Sequence, residues 1–299
     1  MKTFQIKKLL LPTDFSETGL LAIEHGAAMA KRCQSELHLL HVLEQALYAF
    51  QAPEPILRLS SDEEIRKAAD QKMKEIASRL QKDFEIIVVT SSRSGKIAKE
   101  VIDYAEEKEI DLILMGTHGA NGYEEFFMGS NAEKVVNRAN CPVITIQTHA
   151  HQVGFRDIVV PIDSTLHSRQ KVDYAIEIAK AYGSTIHLLG LIESEEDDEA
   201  KFRAKMKVVE EVVKKAKIPY VEKTIQDANV AVTAMAYSEE VGADLIIVMA
   251  DHESMIPGLF MGRFAKQIVN HSLIPVMSIK PHVGTMTSTN PAGSPSYAG

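Results

Sequence analysis

The sequence predicts an α/β protein: two tandem copies of an open, five-stranded parallel sheet with helices on both faces. Two observations lead there. Strand-sized apolar runs alternate with helical stretches, the pattern of β-α-β units whose parallel strands are buried on both sides. The order then starts again. Pro12 and Asp14 of "LLLPTDFS" return as Pro161 and Asp163 of "VVPIDS", "ELHLLHVLE" as "TIHLLGLIE", "DLILMG" as "DLIIVM", and "NCPVITI" as "LIPVMSI".

The first copy opens with "KKLLLPT", a short apolar run closed by Pro12 and Asp14. "SETGLLAIEHGAAMAKRC" follows as a helix with Leu20, Ala27 and Ala30 on its apolar stripe. "ELHLLHVLE" is the second strand, and after a Pro-containing loop residues 62–81 form a charged amphipathic helix. "EIIVVTSS" is a strand, 95–108 a helix capped by Ser94, "DLILMGTHG" a strand, 130–139 a helix and "PVITIQ" the last strand. The second copy repeats this order but lacks a counterpart of "YAFQAPEPILRLSS". The expected division is a first domain over 1–150, a second over 151–281, and a tail over 282–299. That tail is rich in Gly, Pro, Ser and Thr, and is read as flexible.

The bulk numbers exclude several classes. A formal net charge of -8, with no Lys/Arg block to offset it, argues against nucleic acid as a partner. No apolar run approaches the ~18 residues of a membrane span, and "MKTFQIKKLLLPTDF" lacks the ~7–15-residue apolar core of a signal peptide, so the cytoplasm is expected. Cys33 and Cys141 form neither a disulfide framework nor a zinc motif and read as buried free thiols. Gly95-Lys96 is followed by Ile97 and preceded by no suitably spaced glycine, so it is not a phosphate loop of the Gly-Lys-Ser/Thr type. His38, His41 and His187 lie on strands without local partner ligands and read as core or rim histidines.

The chemistry concentrates in "GTHGANGYEEFFMGSNAEKV". Gly116 closes the fourth strand and Ser130 opens the next helix, at the carboxyl edge where open α/β sheets bind ligands. Glycines there admit a close backbone approach, and a helix N-terminus offers unpaired N–H groups to phosphate. Asp14, at the end of the first strand, can accept from an amine or a ribose hydroxyl. Together these residue types fit a nucleotide.

At these residues the chain resembles a tandem universal stress protein. The carrier is Gly116-x-x-Gly119, nine residues, then Gly129-Ser130, similar to the ATP-binding signature of that family's nucleotide-binding branch. "LLPTDFS", "LHVLE" and "NCPVITI" match the family's first, second and last strands. The resemblance implies a Rossmann-like sheet of order 3-2-1-4-5 in each copy and last strands that pair across a dimer, here within one chain. It implies ATP, with magnesium left open. Asp14 and the backbone of Val42 would lie at the adenine side, and Gly119, Gly129, Ser130 and Asn131 would hold the triphosphate. Pro12, Thr13, Met115 and Gly116 would complete the nucleotide-binding set. His118 stands between a phosphate contact and a solvent-facing side chain. The implied role is stress survival or signalling.

The second copy breaks the motif: Met249, His252 and Arg263 stand at the places of Gly116, Gly119 and Ser130, and only Gly262 keeps its glycine. One nucleotide per chain, in the first domain, is therefore expected. Two readings of function remain: a nucleotide-binding regulatory protein with little or no turnover, or a slow ATPase or adenylating enzyme of the adenine nucleotide α hydrolase class. The second calls for a Ser/Gly-rich loop after the first strand, where this chain reads "PTDFSETGL". A homodimer beyond the internal pairing is left open.

Overall fold

The computed structural model describes residues 4–44, 55–117, 128–148, 150, 152–163, 170–192, 199–226, 229–250 and 262–281. His118, Gly119 and the tail from 282 lie outside them. The first copy contains β1 (Lys8–Thr13), α1 (Glu17–Cys33), β2 (Glu36–Leu43), α2 (Pro55–Phe84), β3 (Val88–Ser94), α3 (Ile97–Glu107), β4 (Leu112–Gly116), α4 (Ser130–Arg138) and β5 (Val143–Ile146). The second contains β6 (Asp157–Ile162), α5 (Gln170–Tyr182), β7 (Thr185–Ile192), α6 (Glu199–Lys215), β8 (Tyr220–Gln226), α7 (Val230–Glu240), β9 (Leu245–Met249), α8 (Arg263–His271) and β10 (Val276–Ile279).

All ten strands form one sheet, in the order β3-β2-β1-β4-β5-β10-β9-β6-β7-β8. Pairing is parallel inside each copy and antiparallel only at the centre, where Ile144 faces Met277 and Thr145 faces Val276. Each copy would otherwise leave its last strand as an open, fully buried-type apolar edge, and the central pairing covers both edges at once. Two cores run the length of the sheet. One lies under α1, α2, α5 and α6, the other under α3, α4, α7 and α8.

The repeat extends to polar pins. The Ser35 hydroxyl donates to the Ile6 carbonyl, and Ser184 does the same to Phe155. The Asp111 carboxylate accepts from the Lys7 and Lys8 N–H groups at 2.8 and 2.9 Å, and Asp244 accepts from Arg156 and Asp157 at 3.0 and 3.2 Å. Each aspartate ties the strand entering its copy to the strand that later carries the site. Burial raises the Asp244 carboxyl above its ordinary value despite these donors.

Three local expectations change. The helix expected over 62–81 begins at Pro55, a residue with no N–H to leave unpaired in a first turn. Ser94 ends β3; the cap of α3 is Lys96, with no side-chain bond, because Gly95 at φ 155° takes the turn and donates its N–H to the Leu43 carbonyl at 3.0 Å. Leu20 is 39% exposed, since Thr18 and Gly19 take the inward positions in the first turn of α1. Cys33 and Cys141 are free and half-buried, and burial pushes their thiols up to about 11 and about 12. Among the described residues no helix is long and apolar enough to cross a membrane.

Candidate functional site

β1 lies between β2 and β4, so the chain leaves it to one side first and to the other later. That reversal opens a crevice at the carboxyl ends of β1 and β4. Thr13 sits there opposite His41, and Pro12 opposite Leu40. Asp14 is exposed; its Oδ1 accepts the Ser16 N–H at 3.0 Å and the Ser16 hydroxyl at 2.6 Å. Ser16 in turn caps α1 by accepting the Gly19 N–H at 3.2 Å. Gly19 lets this knot close tightly, since a Cβ would stand 3.1 Å from Asp14 Oδ1 and 3.2 Å from Ser16 Oγ and would push them back by a few tenths of an ångström. Val42, half-buried, pairs with Arg93 at the end of β2.

On the β4 side Met115 is buried and Gly116 ends the strand. Thr117 donates its N–H to the Ile146 carbonyl at 3.0 Å, and its own carbonyl accepts the Gly129 N–H at 2.8 Å. That last bond closes the glycine loop at its base. It sets the end of β4 against the start of α4. Gly129 is the N-cap of α4 and supplies no side-chain cap, leaving Ser130 exposed and Asn131 half-buried in the first turn. The amides of that turn lack intrahelical partners and carry the positive end of the helix dipole, which suits an anion. The residues present thus fit a phosphate chain.

Gly116 has a different neighbour from the one its motif implies. A Cβ on it would lie 2.8 Å from Thr18 Cγ2 and 3.2 Å from the Thr18 backbone carbon. Thr18 is itself buried, with its hydroxyl 3.3 Å from that of Thr148. The first turn of α1 presses on the end of β4, and this packing alone demands a glycine.

Thr18, Thr117 and a stack around Phe15 were not legible in the sequence. Phe15 has φ 63° and donates its N–H to Thr13 Oγ1 at 3.1 Å. Its ring stacks on His41 at 4.6 Å, and the Lys72 ammonium lies 4.6 Å from its centroid. The other strand histidines are core or rim groups, as their residue patterns indicated. His38 bonds the Tyr104 hydroxyl at 2.9 Å and His187 that of Tyr237 at 3.2 Å. No group of three potential metal ligands exists among the described residues.

The second crevice is built differently. Met249 is buried at the end of β9, and Arg263 is exposed at the start of α8, behind a Gly262 cap whose dihedrals match those of Gly129. Lys171, fully buried, donates its ammonium to the Pro161 carbonyl, and Lys205 donates to the Asp163 carbonyl at 2.6 Å. Burial lowers the Lys205 pKa against the opposing pull of Asp163. The signal for Lys171 was available in the repeat, where it replaces Ala22.

The family model "Universal stress protein family" matches residues 5–147 and again 154–280. Universal stress protein MJ0531 of Methanocaldococcus jannaschii is 31% identical over 141 residues, 47% of this chain and 82% of its own length. Universal stress protein YxiE of Bacillus subtilis is 29% identical over 145 residues, 47% of this chain and 98% of its own. The fold of a universal stress protein from Archaeoglobus fulgidus superposes with a TM-score of 0.74 at 21% identity, covering 93% of this chain and 99% of that one. Two matches of one family model, over two halves that repeat each other strand for strand, make this chain a member of the universal stress protein family.

Proposed function

We propose that the protein binds an adenine nucleotide, ATP, in the crevice of the first copy, one molecule per chain, as a cytoplasmic stress-response regulator with little or no turnover. The observation that carries this reading is the closed base of the glycine loop. The Gly129 N–H meets the Thr117 carbonyl at 2.8 Å, and α4 begins there on a glycine cap that makes no side-chain hydrogen bond to its amides. Phosphates are held by Ser130, Asn131, Gly119 and the amides of that turn; Pro12, Thr13, Asp14 and Val42 take the base and ribose. The second crevice, with ammonium groups on the Pro161 and Asp163 carbonyls and Met249 for Gly116, is left without nucleotide.

Little turnover follows from the donor set. Backbone amides and hydroxyls bind phosphate, but fast transfer needs a positioned water and a cation on the developing charge. The adenylating alternative needs a phosphate loop after β1. That turn is taken up by the Asp14–Ser16–Gly19 knot, whose carboxylate repels phosphate. Mass spectrometry of the denatured, purified protein detects copurifying ATP, and calorimetric titration of stripped protein gives one site per chain. Two equal sites, or none, would refute the reading. Single-turnover hydrolysis with magnesium at about one per second or faster would make the protein an enzyme.

A further inference from the structure

We propose that His41 is a positioning residue of the first-copy site: it holds the left-handed β1–α1 turn that presents Asp14 to the ligand. The inference rests on the nucleotide reading above and adds a residue that neither the glycine motif nor the strand pattern marks.

The turn is strained. A bulky side chain at φ 63° occupies a region that only Gly, Asn and Asp visit readily, so something must hold Phe15 there. The structure shows three restraints. The Phe15 N–H donates to Thr13 Oγ1 at 3.1 Å. The ring stacks on the His41 imidazole at 4.6 Å, tilted by 27°, and the Lys72 ammonium lies over it 4.6 Å from its centroid. His41 Nδ1 lies 2.7 Å from the Thr13 carbonyl oxygen. A carbonyl only accepts, so His41 carries its proton on Nδ1 and donates. His41 therefore grips both sides of Asp14: the carbonyl of the residue before it and the ring of the residue after it.

The internal repeat supplies an independent comparison. The position of His41 is Gly190 in the second copy, where the glycine motif is also lost. The space at Gly190 is filled from elsewhere, since a Cβ there would stand 2.8 Å from Thr224 Oγ1 and 3.0 Å from Phe202 Cε1. The strand-end carbonyls of that copy are taken by Lys171 and Lys205. The imidazole donor and the intact phosphate loop thus occur in the same copy, and the other copy ends its first strand on lysines.

The test uses the full chain, stripped of nucleotide, with His41→Ala, His41→Asn and Phe15→Gly. Titrants are ATP, AMP and inorganic tripolyphosphate. His41→Ala should weaken ATP and AMP by about tenfold, the loss of one well-made hydrogen bond, while tripolyphosphate binds as before because α4 is untouched. His41→Asn keeps a donor near the Nδ1 position and should recover most of the affinity. A purely structural role would lower all three titrants together and would not discriminate the base end from the phosphate end. If His41→Ala does not fold, Phe15→Gly decides: it relieves the backbone strain and removes the stack, and should show the same selective loss. Unchanged ATP affinity in folded His41→Ala or Phe15→Gly, or an equal loss for tripolyphosphate, overturns the proposal. Failure of the wild-type chain to bind ATP or AMP overturns instead the nucleotide reading on which it rests.

Discussion

Gly116→Ala separates two reasons for a glycine at the end of β4. If the residue serves only a ligand, the change is silent in nucleotide-free protein. The structure expects a cost without any ligand. The added methyl would lie 2.8 Å from Thr18 Cγ2 and 3.2 Å from the Thr18 backbone carbon, inside normal contact distance. Thr18 cannot swing aside freely, being only 5% exposed and bonded side chain to side chain with Thr148 at 3.3 Å. Overpacking of this kind costs about 1–3 kcal/mol. Replacing glycine returns about 0.4–1 kcal/mol by restricting the unfolded chain. The net loss is about 1–2 kcal/mol, or about 1.5–3 °C in Tm for a chain of 299 residues. Urea unfolding of stripped protein followed by circular dichroism measures it. Thr18→Ser removes Cγ2 and should restore part of the loss, giving a coupling of about 0.5–1 kcal/mol in a double-mutant cycle. A Gly116→Ala chain that unfolds at the wild-type midpoint yet loses ATP binding would refute the packing argument and return Gly116 to the ligand.

His25 is 1% exposed; its Nε2–H donates to the Ala150 carbonyl at 2.8 Å and its Nδ1 has no partner among the described residues. Burial lowers its pKa below 6.5, so the unfolded chain takes up the proton first. Stability is full above pH 6.5 and is lost as pH falls below it. His25→Gln, which keeps a donor without a titrating group, should show a smaller drop in urea midpoint between pH 7.5 and 5.5 than wild type; equal drops would contradict this. The central β5–β10 pairing predicts slow amide exchange at Ile144 and Met277, and fast exchange at both would contradict it. Asp111→Ala removes the acceptor of two strand N–H groups and should cost about 1–3 kcal/mol, read by urea unfolding, with Asp111→Asn losing less because one oxygen remains.

The sequence by itself determined the periodic and the repeated. Apolar runs of strand length, helical stripes and the recurrence of Pro12, Asp14, Asp111 and the final Pro-Val as Pro161, Asp163, Asp244 and Pro-Val carried the architecture, because secondary structure and sheet burial follow local patterns. They also showed which copy lost its glycines. Tertiary structure decided what each glycine and histidine touches. Gly116 meets Thr18, which arrives from α1 almost a hundred residues earlier, so no spacing rule within the motif reveals it. Phe15 enters the left-handed region against its own preference, held by contacts from β2 and α2. His41 reads from its neighbours as an ordinary strand residue; only the register that sets it opposite Thr13 puts its Nδ1 on that carbonyl. The repeat marks Lys171 by setting it against Ala22, but its partner, the Pro161 carbonyl at the end of β6, is decided only once α5 packs on the sheet. Local pattern is written into neighbouring residues, whereas these contacts are set by the packing of elements far apart in the chain.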